Sequence, residues 1–173
     1  GEPLPSLPLP QICAFLSIFK FDRMEWAIEK LTELGTAAIF PVIARRTEAH
    51  LAKAAEKRVE RWRKIAREAA QQARLLKPPE IASPALLKNA IRNVEGAGIV
   101  LSEVEESVSL KLALSEAKPP ISLAFGPEGG WTSEELQLFQ ESGWKAASLG
   151  NTILRAETAA IAAVALAMAE LRT

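Results

Sequence analysis

At 173 residues, 49% hydrophobic and 24% charged, the chain has the balance of a soluble globular protein, far from that of disordered chains, and the length for one compact domain. Cys13 is the one cysteine and His50 the one histidine, which excludes an internal disulfide and a zinc centre of the usual Cys/His kind and fits a reducing, cytoplasmic setting. The formal charge is zero, yet residues 57–77 hold eight basic side chains against two acids, a local +6 offset by −6 elsewhere, so one region of a neutral molecule can attract a polyanion.

The opening GEPLPSLPLP, with four prolines in ten residues, lacks the basic and apolar regions of a signal peptide and reads, over residues 1–11, as a linker or a cut edge of the sequence. The run ICAFLSIF (12–19) reads as a buried strand. Asp22 is then expected to cap a helix that places Met24, Ile28, Leu31 and Leu34 on one face and stops at Gly35. AIFPVI (38–43) returns to strand. In the basic segment, Val59, Trp62, Ala66, Ala69, Ala73 and Leu76 follow helical spacing and predict one apolar stripe, with Arg63, Arg67 and Arg74 on another face and Pro78 and Pro79 as the stop. A solvated helix face is the plain alternative.

A strand is predicted at AGIVLS (97–102), a weaker helix near residues 110–115 and a strand at ISLAF (121–125). Thr132 stands three residues before Glu135, the spacing of a capping box, so a helix should start there and carry Leu136 and Phe139 inward until Gly143. KAASLG (145–150) gives a last strand, and residues 156–171 a last helix. That helix is apolar on nearly every side, and its charge-free stretch 158–169 is shorter than the ~20 residues that span a bilayer. Strand and helix alternate throughout, which predicts an α/β domain over residues 12–173 with a mostly parallel sheet flanked by helices.

Two loops leave strand ends, where ligands sit in open α/β sheets. In GPEGG, Gly126, Gly129 and Gly130 let backbone approach a ligand closely. The loop holds no phosphate-binding lysine, and Glu128 brings a negative charge, so a neutral or cationic ligand suits it better than a nucleotide phosphate. A plain strand-to-helix turn would use the same glycines. The second loop, LGNTILRAET (149–158), sets Arg155, Glu157 and Thr158 at the head of the apolar helix, where polar groups must face a pocket or pair with each other.

FGPEGGWTSEE followed by SLGNTILRAETAAIAA, with KFDRMEWAIEKLTELG, RWRKIAREAAQQ and PPEI upstream in the same order, resembles the RsmE-type 16S ribosomal RNA uracil-N3 methyltransferases of the SPOUT superfamily, over nearly all of residues 12–171. The resemblance implies a homodimer, a deep C-terminal trefoil knot and S-adenosylmethionine as methyl donor. It implies cofactor contact at Leu101, Gly126, Pro127, Gly129, Gly130, Leu149, Gly150, Ile153, Leu154 and Thr158, with backbone amides of the second loop on the adenine. It also implies 16S rRNA or the small ribosomal subunit as partner, with no metal and no membrane. Since the donor brings its own leaving group, the protein must orient the reactants and handle the uracil N3 proton. Arg155 is the candidate to stabilise the developing anion, and Glu128 or Glu157 to accept the proton. Arg46, Arg63, Arg67 and Arg74 are the candidate RNA contacts. Phe21 stands where the family usually has glycine and Ala156 where it has threonine, and QQARLL lacks the usual Glu-Gln and one arginine. The family's small N-terminal PUA-like β-barrel has no counterpart before Ile12. A knotted dimer that binds RNA or the ribosome without catalysis, or a methyltransferase with another RNA target, is the alternative.

Overall fold

The computed structural model describes residues 8–105 and 107–172, so the expected linker lies outside the described residues over positions 1–7. In chain order the elements are β1 (Ile12–Ser17), α1 (Phe21–Glu33), β2 (Ala38–Ile43), α2 (Ala49–Ala54), a 3-10 turn (Ala55–Arg58), α3 (Val59–Gln72), β3 (Glu80–Ile81), β4 (Ala85–Leu86) and α4 (Leu87–Ala90). The second half adds β5 (Ala97–Leu101), α5 (Leu110–Ser115), β6 (Ile121–Phe125), α6 (Ser133–Glu141), β7 (Lys145–Ala147) and α7 (Ala156–Leu171). The strands form one sheet in the order β3-β2-β1-β6-β5-β7, with β4 also paired to β2, and these pairings are parallel throughout.

Both faces of the sheet are covered, as the apolar strand sequences require. Side chains alternate between the faces: Ile12, Ala14 and Leu16 of β1 join Ile121, Leu123 and Phe125 of β6 in a core beneath α1, α3, α5 and α7. On the opposite face Phe15 and Ala124 meet the residues of α4 and α6, with Trp131, Phe139 and Trp144 filling the space. The neighbours β1 and β6 thus feed helices on opposite faces, α1 and α6. Their carboxyl ends open a crevice at a topological switch point.

Local signals explain most element ends. Gly35, at φ +91°, terminates α1: its N–H donates to Thr32 O and that of Thr36 donates to Leu31 O, a Schellman stop. Asp22 does not cap this helix. The Met24 N–H donates to Lys20 O, so Lys20 occupies the cap and makes no side-chain bond there; Asp22 falls in the first turn, where its charge suits the helix dipole. The stripe on α3 also ends sooner than its spacing predicts. Val59, Trp62, Ala66 and Ala69 are buried, but Arg74 takes φ +58° and closes a Schellman stop, with Leu75 N donating to Ala70 O. Ala73 is therefore only half-buried and Leu76 fully exposed, before either proline is reached.

The capping box at α6 is present. Glu135 N donates to Thr132 Oγ1 at 3.1 Å and Thr132 N donates to Glu135 Oε1 at 2.9 Å. The other oxygen of Glu135 accepts the Arg45 N–H at 3.0 Å, which ties the chain after β2 to the start of α6. Glu135→Ala strands two backbone donors near the core and should cost about 2 kcal/mol, against about 1 kcal/mol for Thr132→Ala. Urea unfolding of the two variants checks the order.

Candidate active site

The first loop follows β6. Its bend is closed by a bond from Gly130 N to Pro127 O at 2.8 Å, with Gly130 at φ +81°. A Cβ on Gly126 would come within 3.1 Å of the Trp131 indole, so a side chain here would have to push that ring by a few tenths of an ångström. That indole in turn donates to Leu101 O at 3.0 Å and fastens the loop to the end of β5. Arg46, after β2, donates to Gly129 O at 2.7 Å from the other side.

The second loop begins where Ser148 bridges Ser109 in parallel, with Ser148 N donating to Val108 O and Leu110 N to Ser148 O, both at 2.8 Å. Gly150, at φ +128°, donates to Ser148 Oγ at 3.0 Å. Ile153 is 81% exposed, an apolar side chain held at the cleft. A third segment, after β5, is ordered by Glu105. Its carboxylate accepts from the Ser107 hydroxyl and from the N–H groups of Ser107 and Val108, which holds it below the usual carboxylate range.

These segments enclose one cleft of about 780 Å³, within the range of small-molecule sites. Leu101, Gly126, Pro127, Gly129, Gly130, Leu149, Gly150, Ile153 and Leu154 line it, together with Glu128, Arg155 and Arg46. Thr158 and Glu157 both lie outside that lining, Thr158 exposed on α7 and Glu157 buried. The chain turns about 100° between successive helical positions, so burying Glu157 turns its neighbour outward. Arg46 stands over the first loop rather than on the basic helix, although both were expected to contact RNA. Arg63, Arg67 and Arg74 do not line the cleft. Arg63 Nε and Nη2 both donate to Ile81 O and Nη1 pairs with Glu60 at 2.6 Å, so its guanidinium is committed to the fold. Arg74 forms the stop of α3.

Arg155 occupies the N-cap of α7 without a side-chain bond there, and no ion pair joins it to Glu157. The partner of Glu157 is Arg23, which the sequence reading did not single out. Arg23 hydrogen-bonds the Glu128 carboxylate, and its Nη1 is 3.9 Å from Glu157 Oε2. That oxygen is buried and has no hydrogen-bond partner. Lys20 and Asp22 line the same cleft, also unforeseen. The available signal was position: all three follow β1, whose carboxyl end faces the switch point. Among the described residues no group of three or more His, Cys, Asp or Glu could hold a metal ion, and no helix is long and apolar enough to cross a membrane.

Comparison with known proteins matches residues 5–168 to the RNA methyltransferase domain family. The chain is 36% identical to the ribosomal RNA small subunit methyltransferase E of Synechocystis sp. over 164 residues, covering 92% of this chain and 53% of that protein. To the Bacillus subtilis protein of the same name it is 35% identical over 154 residues, 84% of this chain and 60% of that one. The chain thus spans little more than half the length of these relatives. The crystal structure of the Neisseria gonorrhoeae ribosomal RNA small subunit methyltransferase E, bound to S-adenosyl methionine, superposes with a TM-score of 0.82 at 32% identity, covering 94% of this chain and 67% of that one.

Proposed function

Since the chain belongs to the RNA methyltransferase domain family, we propose that it transfers a methyl group from S-adenosylmethionine to N3 of a uridine in the 16S RNA of the small ribosomal subunit. The observation that carries this reading is the convergence of both glycine loops on one cleft, in a fold whose relatives include small-subunit methyltransferases. The residues present suit such a cofactor. Gly126 and Gly130 offer side-chain-free backbone at the cleft, Leu101, Leu149, Ile153 and Leu154 supply apolar walls, and the buried Glu157 oxygen without a partner adds negative potential for a cationic ligand.

When bound, S-adenosylmethionine supplies a methyl group on a cationic leaving group. The chain's own residues then hold the reactants in line and manage charge. Backbone N–H and C=O groups of residues 149–154 would hold the adenine. Arg155 lines the cleft and has no acidic partner among the described residues, so its charge is available to the anion that develops on uracil. Glu128 lines the cleft with its side chain 46% exposed, whereas Glu157 is outside the lining and only 8% exposed; Glu128 is thereby the better placed to accept the N3 proton. Lys57, Arg67, Arg74 and Lys77, which unlike the other basic residues of 57–77 have no acidic partner among the described residues, are assigned to RNA phosphates.

We assign the outer face of α7, where Thr158, Ala162 and Ala169 are exposed and Ile161 and Ala165 half-buried, to contact with a second copy of the chain. The trefoil knot is assigned to the second loop and α7, and the working compartment to the cytoplasm, where ribosomal subunits are made. Calorimetric titration should give one saturable S-adenosylmethionine site per chain. Mass spectrometry of nucleosides from unmethylated small subunits should then show N3-methyluridine. Lack of cofactor binding would leave a non-catalytic RNA-binding protein in its place.

A further inference from the structure

We propose that Arg23 is a positioning residue shared between two carboxylates: it is bonded to Glu128 in the present arrangement and passes to the buried oxygen of Glu157 once Glu128 has taken the substrate proton. The inference rests on the methyltransferase reading above. Its geometric basis is separate from that reading.

One guanidinium faces two acids here. Arg23 hydrogen-bonds Glu128 with one terminal nitrogen, and the other stops 3.9 Å from Glu157 Oε2, just outside bonding distance. Glu157 is 6% exposed and that oxygen has no partner. A buried carboxylate oxygen without a donor is unfavourable, so a donor so close has reason to move to it whenever its present partner no longer holds it. The side chain of Arg23 is itself 21% exposed and long enough to pivot.

Charge bookkeeping gives the trigger. With both acids ionised the trio carries −1, and Arg23 serves the nearer carboxylate. When the uracil N3–H bond breaks, the proton forms an O–H bond on Glu128; the electron pair left on N3 bonds the methyl carbon as its bond to the sulfonium sulfur breaks, and that pair leaves with the now neutral thioether. Glu128 is then neutral, its claim on Arg23 weakens, and the guanidinium turns to the remaining anion, Glu157. Arg23 is thus paired at both stages, and the link between the first loop, α1 and α7 persists through the transfer.

Arginine side-chain NMR tests this without any ligand, with the Arg23 Nε–H resonance assigned by its loss in Arg23→Lys. Glu128→Gln copies the protonated acid; it should shift that resonance and slow its hydrogen exchange about tenfold, and the added change Glu157→Gln should abolish the slowing. In the methyl-transfer assay, Arg23→Met should lower kcat about 100-fold with cofactor Kd within about threefold, and Arg23→Lys should recover it to within about tenfold. An Arg23 signal indifferent to Glu128→Gln overturns the proposal, as does an Arg23→Met enzyme with wild-type kcat. A wild-type protein that transfers no methyl group sinks the functional reading instead, and the NMR result still decides the arginine.

Discussion

Arg155→Ala should reduce methyl transfer to RNA by about 10²–10³-fold, the usual loss when one preorganised group that stabilises developing charge is removed. Arg155 stands where α7 begins, at the cleft, with its side chain free of any carboxylate among the described residues. Cofactor affinity should stay within about threefold, because the contacts assigned to it come from loop backbone and apolar walls rather than from this guanidinium. Stability should change by less than about 0.5 kcal/mol, as expected for an exposed side chain without partners. Single-turnover transfer of a labelled methyl group, with cofactor Kd from calorimetry, separates the effects. Retention of activity within tenfold would move the role to Lys20 or Arg46, the other cations of the cleft not bonded to an acid.

The same residue marks how far the sequence could be read. Elements defined by their own periodicity or punctuation were legible: α7 spans residues 156–171 as predicted, Gly35 stops α1, and Thr132 and Glu135 form their box. The short pieces α2, β3, β4 and α4 were not, because two-residue strands such as β3 and β4 carry no period and exist only through pairing with β2. The two loops could be placed at strand ends from local pattern, and they do meet. What could not be read is how distant side chains share one another. Arg23 and Glu128 are 105 residues apart, and nothing in either stretch tells a solvated arginine from one held between acids. Arg63 shows the converse, a cation in a basic run that is spent on the Ile81 carbonyl. Phe21, where the resembled family has glycine, gains its place by packing edge-on to Trp62 at 5.9 Å, with the Arg58 guanidinium 4.8 Å above its ring.

Phe139→Ala should be the most destabilising single change near the site, at about 3–5 kcal/mol, because truncating a buried aromatic loses transfer energy and leaves a cavity. Phe139 is fully buried and meets Trp131 edge-on at 4.9 Å and Trp144 at 5.1 Å. Trp144 continues to Phe15 at 5.4 Å, and Phe15 stacks on Phe40 at 4.6 Å, so one ring supports an aromatic row that runs from β2 and β1 to the residue before β7. For a chain of this length the loss corresponds to a melting temperature lower by about 10 °C. Phe139→Leu, which keeps most of the volume, should cost only about 1.5 kcal/mol. The alanine variant should also weaken cofactor binding by about tenfold, since Trp131 loses the wall that sets its indole against Gly126 and Leu101 O. Calorimetry below the new melting temperature measures that second effect apart from unfolding. A variant that loses stability but binds the cofactor as the wild type does would show that Trp131 holds the first loop without Phe139 behind it.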